Sequence, residues 1–335
     1  MTAPRYIDCL RQALRDEMAG DGSVVVLGED VAYGGPFGAT SGLAEEFGET
    51  RVRNTPISEG TVLGTAVGAA ACGLRPVVEV MFIDFITLAM DQLVNHAAKL
   101  HYMSGGQLRV PITVRAQGGI SGAYGAHHSQ SLEAWLAHVP GLKVVAPSTP
   151  ADAYGLLRAA IRDDNPVVVF EHRALYWRRG AAGDDAGGVL PLGSAAVRRS
   201  GCDVTVVTYS RMTEAALQAA DSLAARGIDV EVIDARSLVP LDVDTIVESV
   251  RKTRRLVVAH EAVERAGFGA EIAATAQEVA FEHLDAPVVR VGSPFAPVPA
   301  SASLEAVFAP DASALEAAVA HVITAGKPAA STTRG

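Results

Sequence analysis

Two short stretches of this 335-residue sequence gather residue types able to do chemistry: Asn54-Thr-Pro-Ile-Ser-Glu-Gly60 and Gly118-Gly-Ile-Ser-Gly-Ala-Tyr-Gly-Ala-His-His-Ser-Gln130. The first runs straight into a helical pattern in which Gly60, Gly64 and Gly68 recur four apart, on one helix face. Each glycine inside a helix costs about 0.5–1 kcal/mol relative to alanine, so such a stripe predicts a second helix packed close against it. Glu59 then stands in the first turn. The helix dipole alone favours a carboxylate there. Withdrawn from water in a glycine-lined interface, the same carboxyl could instead share a proton with a bound base. The residues by themselves leave both readings open.

The second stretch follows Pro111–Ala116, a run that reads as a strand. Glycines at a strand end let the backbone approach a ligand, and parallel sheets bind ligands at such ends. The loop closes on His127 and His128, whose imidazoles can act as acid, base or hydrogen-bond donor, or can simply be solvated. No GxGxxG opens a helix here, so the glycines are no dinucleotide fingerprint. Gly20-Asp-Gly22 imitates the start of a diphosphate-and-metal motif. A helical pattern precedes it, a strand follows, and no Asn-Asn pair occurs anywhere to complete a metal shell. It reads as a helix-to-strand turn.

The elements that must position these stretches alternate along the chain. Strands are predicted at Ser23–Leu27, Pro76–Phe82, Pro111–Ala116, Lys143–Pro147 and Pro166–Phe170, with helices near Tyr6–Met18, Gly60–Cys72, Phe85–Met103 and Ala151–Arg162. The second half repeats the theme: strands at Asp203–Tyr209, Asp229–Asp234, Arg255–His260 and Pro287–Val291, helices near Thr213–Arg226, Val243–Lys252, Gly269–Phe281 and Ala312–Thr324. β-Branched runs alternating with helices predict an α/β chain of two doubly wound sheet domains. The glycine-dense stretch Gly180–Gly188 has no apolar period and marks a boundary. The expected organisation is a first domain over 1–185, a linker over 186–196, a smaller second domain over 197–326 and a disordered tail over 327–335.

Composition narrows the class. Hydrophobic residues at 49% and charged ones at 20% suit a large core of close-packed layers. A net charge of −10 argues against a nucleic-acid partner, and the basic run Arg251, Lys252, Arg254, Arg255 reads as a helix end. Cys9, Cys72 and Cys202 are odd in number and form no CxxC, which suggests buried thiols in a reducing compartment. The N-terminus has no apolar signal region, and Thr61–Leu74, the most apolar segment, is too short to cross a membrane. The expectation is a cytoplasmic enzyme that uses neither membrane nor nucleic acid.

Six motifs in unbroken order carry a resemblance. Leu27-Gly-Glu-Asp30, Pro56-Ile-Ser-Glu-Gly60, Ala126-His-His-Ser-Gln130, Pro140-Gly-Leu-Lys-Val-Val-Ala-Pro147, Ala160-Ile-Arg-Asp-Asp-Asn-Pro166 and Asp234-Ala-Arg-Ser-Leu-Val-Pro-Leu-Asp242 resemble the beta subunits of pyruvate, branched-chain 2-oxoacid and acetoin dehydrogenases. The likeness runs from about Tyr6 to Ile323. It implies a transketolase-type pyrimidine-binding domain followed by a transketolase C-terminal domain. It also implies an α2β2 heterotetramer that holds thiamine diphosphate between an alpha and a beta chain. The alpha subunit would supply the diphosphate motif and Mg2+, and a lipoyl acyltransferase core would receive the acyl group.

By that resemblance, Glu59 matches the glutamate that bonds a ring nitrogen of the aminopyrimidine, and Phe85 the aromatic packed on that ring. His128 matches a histidine near the small 2-oxoacid or acetoin substrate and the incoming lipoyl group, and it is favoured over His127 because it directly precedes Ser-Gln. Leu88 borders the cofactor where pyruvate-type members can carry a polar residue. A structural K+ is implied at Ile112, Ala160, Ile161, Asp163 and Asn165, largely through backbone carbonyls. The loop Gly118–Ala126 is idiosyncratic, while Met81-Phe-Ile-Asp-Phe85 and Tyr102-Met-Ser-Gly-Gly106 look closer to acetoin and branched-chain members. A split transketolase-like carboligase and a non-catalytic partner subunit are the competing expectations.

Overall fold

Valine-rich runs become strands. In chain order they are β1 (Val24–Gly28), β2 (Val52–Asn54), β3 (Arg75–Val80), β4 (Thr113–Gly118), β5 (Lys143–Val145) and β6 (Val167–His172). The later ones are β7 (Ala196–Arg199), β8 (Val204–Thr208), β9 (Val230–Asp234), β10 (Ser237–Val239), β11 (Leu256–Val263) and β12 (Val289–Ser293). The computed structural model describes residues 3–181 and 188–325, so the predicted tail at 327–335 and part of the glycine run lie outside the described residues.

The first unit carries a seven-stranded sheet in the order β10-β5-β6-β4-β3-β1-β2. Every pairing is parallel except β10 against β5 at one edge. Strands β1, β4 and β6 are buried at every residue, so β1 and the first four residues of β6 read as continuous apolar runs, while β4 buries Arg115 and Gln117 among its apolar residues. The helices Tyr6–Gly20 and Pro150–Arg162 share a core with β1 and β6, which joins Tyr6, Leu10 and Leu14 to Leu157, Ile161, Val26 and Val169. Thr149 starts the second of these helices as a capping box, its Oγ1 accepting from Asp152 N at 3.1 Å.

This unit runs to Ser194 and also takes in Arg236–Leu241 and Pro297–Ala306. Leu190 explains why the chain beyond the glycine run stays with it: its N–H donates to the Gly155 carbonyl at 3.2 Å, and its side chain lies where a Cβ on Gly155 would stand only 2.6 Å away. Arg236 ties in the returning segment, donating to the buried Asp152 carboxylate at 2.8 Å while its carbonyl accepts from Ala146 at 2.8 Å.

The second unit holds a five-stranded sheet, β12-β11-β8-β9-β7, parallel except for β7 at its edge. Its core joins Val204, Val206, Met212 and Leu223 to Leu315, Val319 and Val322. The stretch Ala302–Ala325 is apolar enough to cross a membrane by composition. It is two helices, Ala302–Phe308 and Ala312–Ala325, the second burying its apolar stripe in this core.

Three expectations change. The segment after Phe85 is not one helix: it winds tightly over Ile83–Ala89, widens to a π turn over Asp91–Ala97 and becomes α-helical only over Ala98–Met103. Apolar spacing cannot separate these windings when each leaves the same residues inside. The glycine stripe meets this segment over part of its length, since a Cβ on Gly60 would stand 3.2 Å from the Leu88 carbonyl and one on Gly64 3.4 Å from Gln92, whereas Gly68 faces nothing. Of the thiols, only Cys9 is buried; Cys72 and Cys202 are exposed and all three are free. The Arg251–Arg255 run does end a helix, with Arg254 capping Val243–Thr253 in the left-handed region and bonding Asp285 at 2.7 Å.

His260, on β11, sets a pH dependence. It is fully buried, its Nδ1 lies 3.1 Å from the Ala262 carbonyl, and Gly267 and Gly269 press so close that a Cβ on either would stand 2.5 Å from the ring. Burial pushes its pKa down to about 4. An unfolded histidine titrates near 6.5, so below that pH the unfolded chain takes up a proton that the folded one refuses. The stabilisation is complete above about 6.5 and falls by roughly 3 kcal/mol as pH drops towards 4. Urea unfolding across this range should show that loss, and His260→Gln should flatten that part of the curve. Parallel curves for the two proteins would rule it out.

Candidate active site

Glu59 opens the helix Glu59–Ala71, preceded by Ser58, whose Oγ donates to Thr61 Oγ1 at 2.8 Å. Its half-buried carboxyl lines a cavity with Glu29, Thr55, Val62, Leu63, Glu79 and Val80. Glu29 follows directly on β1, where Gly28 lets the chain lie against β3: a Cβ there would stand 2.8 Å from the Glu79 carbonyl. Burial, then the charge of Glu59 and that of Asp30, push the Glu29 carboxyl above the usual range. Thr55 Oγ1 is buried without a hydrogen-bond partner. Sequence reasoning gave Glu29 no role of its own. Its signal was an acidic residue at the end of a wholly buried strand.

Glu79 connects this cavity to a buried ionic cluster. Arg115 donates to Glu79 at 2.6 Å and to both oxygens of Glu171 at 2.7 and 2.9 Å, and the Tyr176 hydroxyl donates to Glu171 at 2.6 Å. Burial raises Glu79, against the opposing pull of Arg115, and pushes the Tyr176 phenol well up. One guanidinium between two carboxylates is a stiff arrangement, because removing any partner strands a buried charge. It fixes one wall of the cavity.

The donor set says what the cavity can hold. Lined by carboxyls and apolar groups, with an unsatisfied hydroxyl and no cationic side chain, it offers hydrogen-bonding chemistry suited to a neutral nitrogen heterocycle and not to a diphosphate. Among the described residues no group of three His, Cys, Asp or Glu side chains is placed to hold a metal. Gly20-Asp-Gly22 is the turn its surroundings predicted: Asp21 Oδ1 accepts from Ser23 N at 2.8 Å between the first helix and β1.

His128 belongs to a second cluster. The loop after β4 turns through Gly119, Gly122 and Gly125 at φ of +83°, +78° and +79°, a region that favours glycine. The His128 ring stands edge-on to Phe82 at 4.8 Å and to Phe85 at 5.2 Å. Phe85 thus sits beside His128 and is absent from the lining of the Glu59 cavity. Leu88 is 64% exposed, with its carbonyl against Gly60. Two residues that sequence reasoning missed hold the loop. Buried Arg173 donates to Gln117 Oε1 at 3.0 Å and to the His128 carbonyl at 3.3 Å, and its guanidinium lies 4.2 Å from the Tyr124 ring centre. Asp84 accepts from the Gln130 side chain at 2.9 Å. No local signal marks them, since each acts across 45 or 46 residues.

Ala160, Ile161, Asp163 and Asn165 gather at the end of the helix Pro150–Arg162, with Ile112 close by through its carbonyl, which accepts from Val167 N at 2.9 Å. Arg75 already donates to the carbonyls of Ile161 and Asp163 at 3.1 and 3.0 Å, and Lys143 pairs with the Asp163 carboxylate.

Comparison with known proteins agrees with this architecture. Residues 2–178 match "Transketolase, pyrimidine binding domain" and residues 193–315 match "Transketolase, C-terminal domain". A "Pyruvate dehydrogenase E1 component subunit beta" of Gracilaria tenuistipitata var. liui is 46% identical over 306 residues, 91% of this chain and 94% of that one. The "Acetoin:2,6-dichlorophenolindophenol oxidoreductase subunit beta" of Cupriavidus necator is 44% identical over 329 residues, 95% of this chain and 97% of that one. A solved structure, "Split gene transketolase, inactive beta4 tetramer", superposes with a TM-score of 0.78 at 25% identity, covering 97% of this chain and 100% of that one. Two α/β units of transketolase type and relatives of nearly equal length at this identity leave one assignment: the chain belongs to the family of beta subunits of thiamine-diphosphate-dependent 2-oxoacid and acetoin dehydrogenases.

Proposed function

We propose that this chain is the beta subunit of the decarboxylating component of a 2-oxoacid or acetoin dehydrogenase complex, an oxidoreductase active only with an alpha subunit. The observation that carries the reading is the Glu59 cavity, which offers carboxyls to a heterocycle and nothing to a diphosphate. Thiamine diphosphate, when bound, supplies the carbon nucleophile that attacks the substrate carbonyl. Glu59 would bond a ring nitrogen of its pyrimidine and share a proton there, beside the Glu79 wall that Arg115 holds rigid. His128 faces the substrate and the lipoyl group, with Phe82 and Phe85 excluding water around it.

The alpha subunit would hold the diphosphate and Mg2+ and complete an α2β2 heterotetramer. The acyl group would pass to a lipoyl acyltransferase core. K+ at the carbonyls of Ile112, Ala160, Ile161, Asp163 and Asn165 would sit at a helix C-terminus, whose dipole favours cations, and would share oxygens with Arg75. Three free thiols fit a reducing, cytoplasmic setting.

The isolated chain is expected to bind thiamine diphosphate weakly and to turn over nothing, and titration calorimetry with Mg2+ present checks this. The co-expressed alpha–beta pair should oxidise a 2-oxoacid or acetoin with an artificial electron acceptor. Tight Mg2+-dependent binding by the isolated chain would overturn the division of labour.

A further inference from the structure

His127 precedes the residue expected to face substrate, and nothing in its type or position assigns it a part in the reaction. The structure brings the two rings together: Nδ1 of His127 lies 2.8 Å from Nδ1 of His128, with ring centroids 4.9 Å apart and planes at 62°. Neighbours in an extended chain point to opposite sides. Here Gly125, at φ +79°, and the bond from His128 N to the Gly125 carbonyl at 3.3 Å curl the backbone so that both rings lie on one side.

Two ring nitrogens at that separation hold one hydrogen between them. Two bare nitrogens would oppose their lone pairs, and two N–H groups would oppose their hydrogens. His128 is otherwise held by contacts that leave its nitrogens alone: Phe82 and Phe85 pack on the ring, and Arg173 takes the backbone carbonyl. Its Nδ1 is committed to His127, so Nε2, on the far side of the ring, is the nitrogen left for a ligand. The direction of the shared hydrogen follows from what that ligand is. The carboxylate and carbonyl oxygens of a 2-oxoacid or acyloin can only accept hydrogen bonds, so Nε2 must carry a hydrogen to meet them. Nδ1 of His128 must then accept. His127 is exposed, and water satisfies its Nε2 in either tautomer, so it can adapt as the donor.

We infer that His127 is a positioning residue: it donates Nδ1–H to Nδ1 of His128, holding that ring in the tautomer that presents Nε2–H to the substrate oxygen. The inference rests on the placement of His128 at the substrate under the proposed function.

The test uses the assembled alpha–beta enzyme with His127→Leu, His127→Asn, His128→Ala and the double variant His127→Leu/His128→Ala. Asparagine places its amide near the position of Nδ1–H, whereas leucine fills the space with no donor. His127→Leu should lower kcat about tenfold, with KM for thiamine diphosphate unchanged, and His127→Asn should recover most of it. In the His128→Ala background the leucine substitution should cost nothing further. A His127→Leu enzyme with wild-type kcat, an asparagine variant as slow as the leucine one, or losses that multiply in the double variant would each overturn the inference. So would failure of His127→Leu to assemble, since an exposed positioning ring is not needed for folding. If His128→Ala itself turns over at the wild-type rate, the placement of His128 falls, and this inference with it; an impaired His128→Ala beside an independent effect at His127 removes this inference alone.

Discussion

Glu59→Gln should leave an assembled enzyme that turns over about 10²–10⁴ times more slowly, the usual contribution of a positioned acid–base group. Glutamine keeps the shape of the side chain and loses the group that can share a proton with a ring nitrogen. Folding, on which assembly depends, should survive, because the close contacts of this helix within the chain, Gly60 on Leu88 and Gly64 on Gln92, are untouched. Burial, the larger influence on Glu29, also remains, and only the charge of Glu59 is removed from beside it. Cofactor binding should weaken. The loss should appear before any substrate is chosen, so 2-oxoacids and acetoin should suffer alike. Rapid-quench proton NMR, following exchange of the bound cofactor's thiazolium proton for deuterium, reads this first step directly. An exchange rate equal to wild type would reduce Glu59 to a glutamate that merely suits the helix dipole.

His128→Ala should act later. The ring belongs to the Phe82–Phe85 cluster and does not line the Glu59 cavity, so cofactor binding and proton exchange should stay near wild type. Turnover or transfer to a lipoyl domain should fall by about 10²–10⁴-fold if Nε2 acts on the substrate. Rates measured separately with an artificial acceptor and with a lipoyl domain show which step depends on it. Equal wild-type rates in both assays would make His128 a solvated loop residue. Together the two substitutions separate the clusters: one should stop activation of the cofactor, the other its use.

Local pattern carried much of the architecture. The strands expected in both halves have ends within three residues of those observed, because central parallel strands are buried on both faces and must be written as short β-branched runs between helices. The turn at Gly20-Asp-Gly22 and the helix end at Arg254 were legible for the same reason, since both are settled by neighbours in sequence. Glu59 and His128 stood out by residue type and motif. Short edge strands did not: β2, β7 and β10 run only three or four residues, and their pairing comes from distant chain. The ion pair of Arg236 with Asp152, not any local period, returns β10 to the first sheet.

Tertiary structure alone decided which charges meet. Glu29 beside Glu59, Arg115 between Glu79 and Glu171, and Arg173 beneath the histidine loop each join segments separated by 30 to more than 50 positions. A side chain's hydrogen-bond partner is a matter of three-dimensional distance, to which spacing along the chain is no guide beyond a helical turn. The sequence by itself therefore determined the fold class and the family, and it offered Glu59 and His128 as the candidates for chemistry. The packed structure determined how each is held, because burial turns a scattered set of charges into one in which every partner must be present.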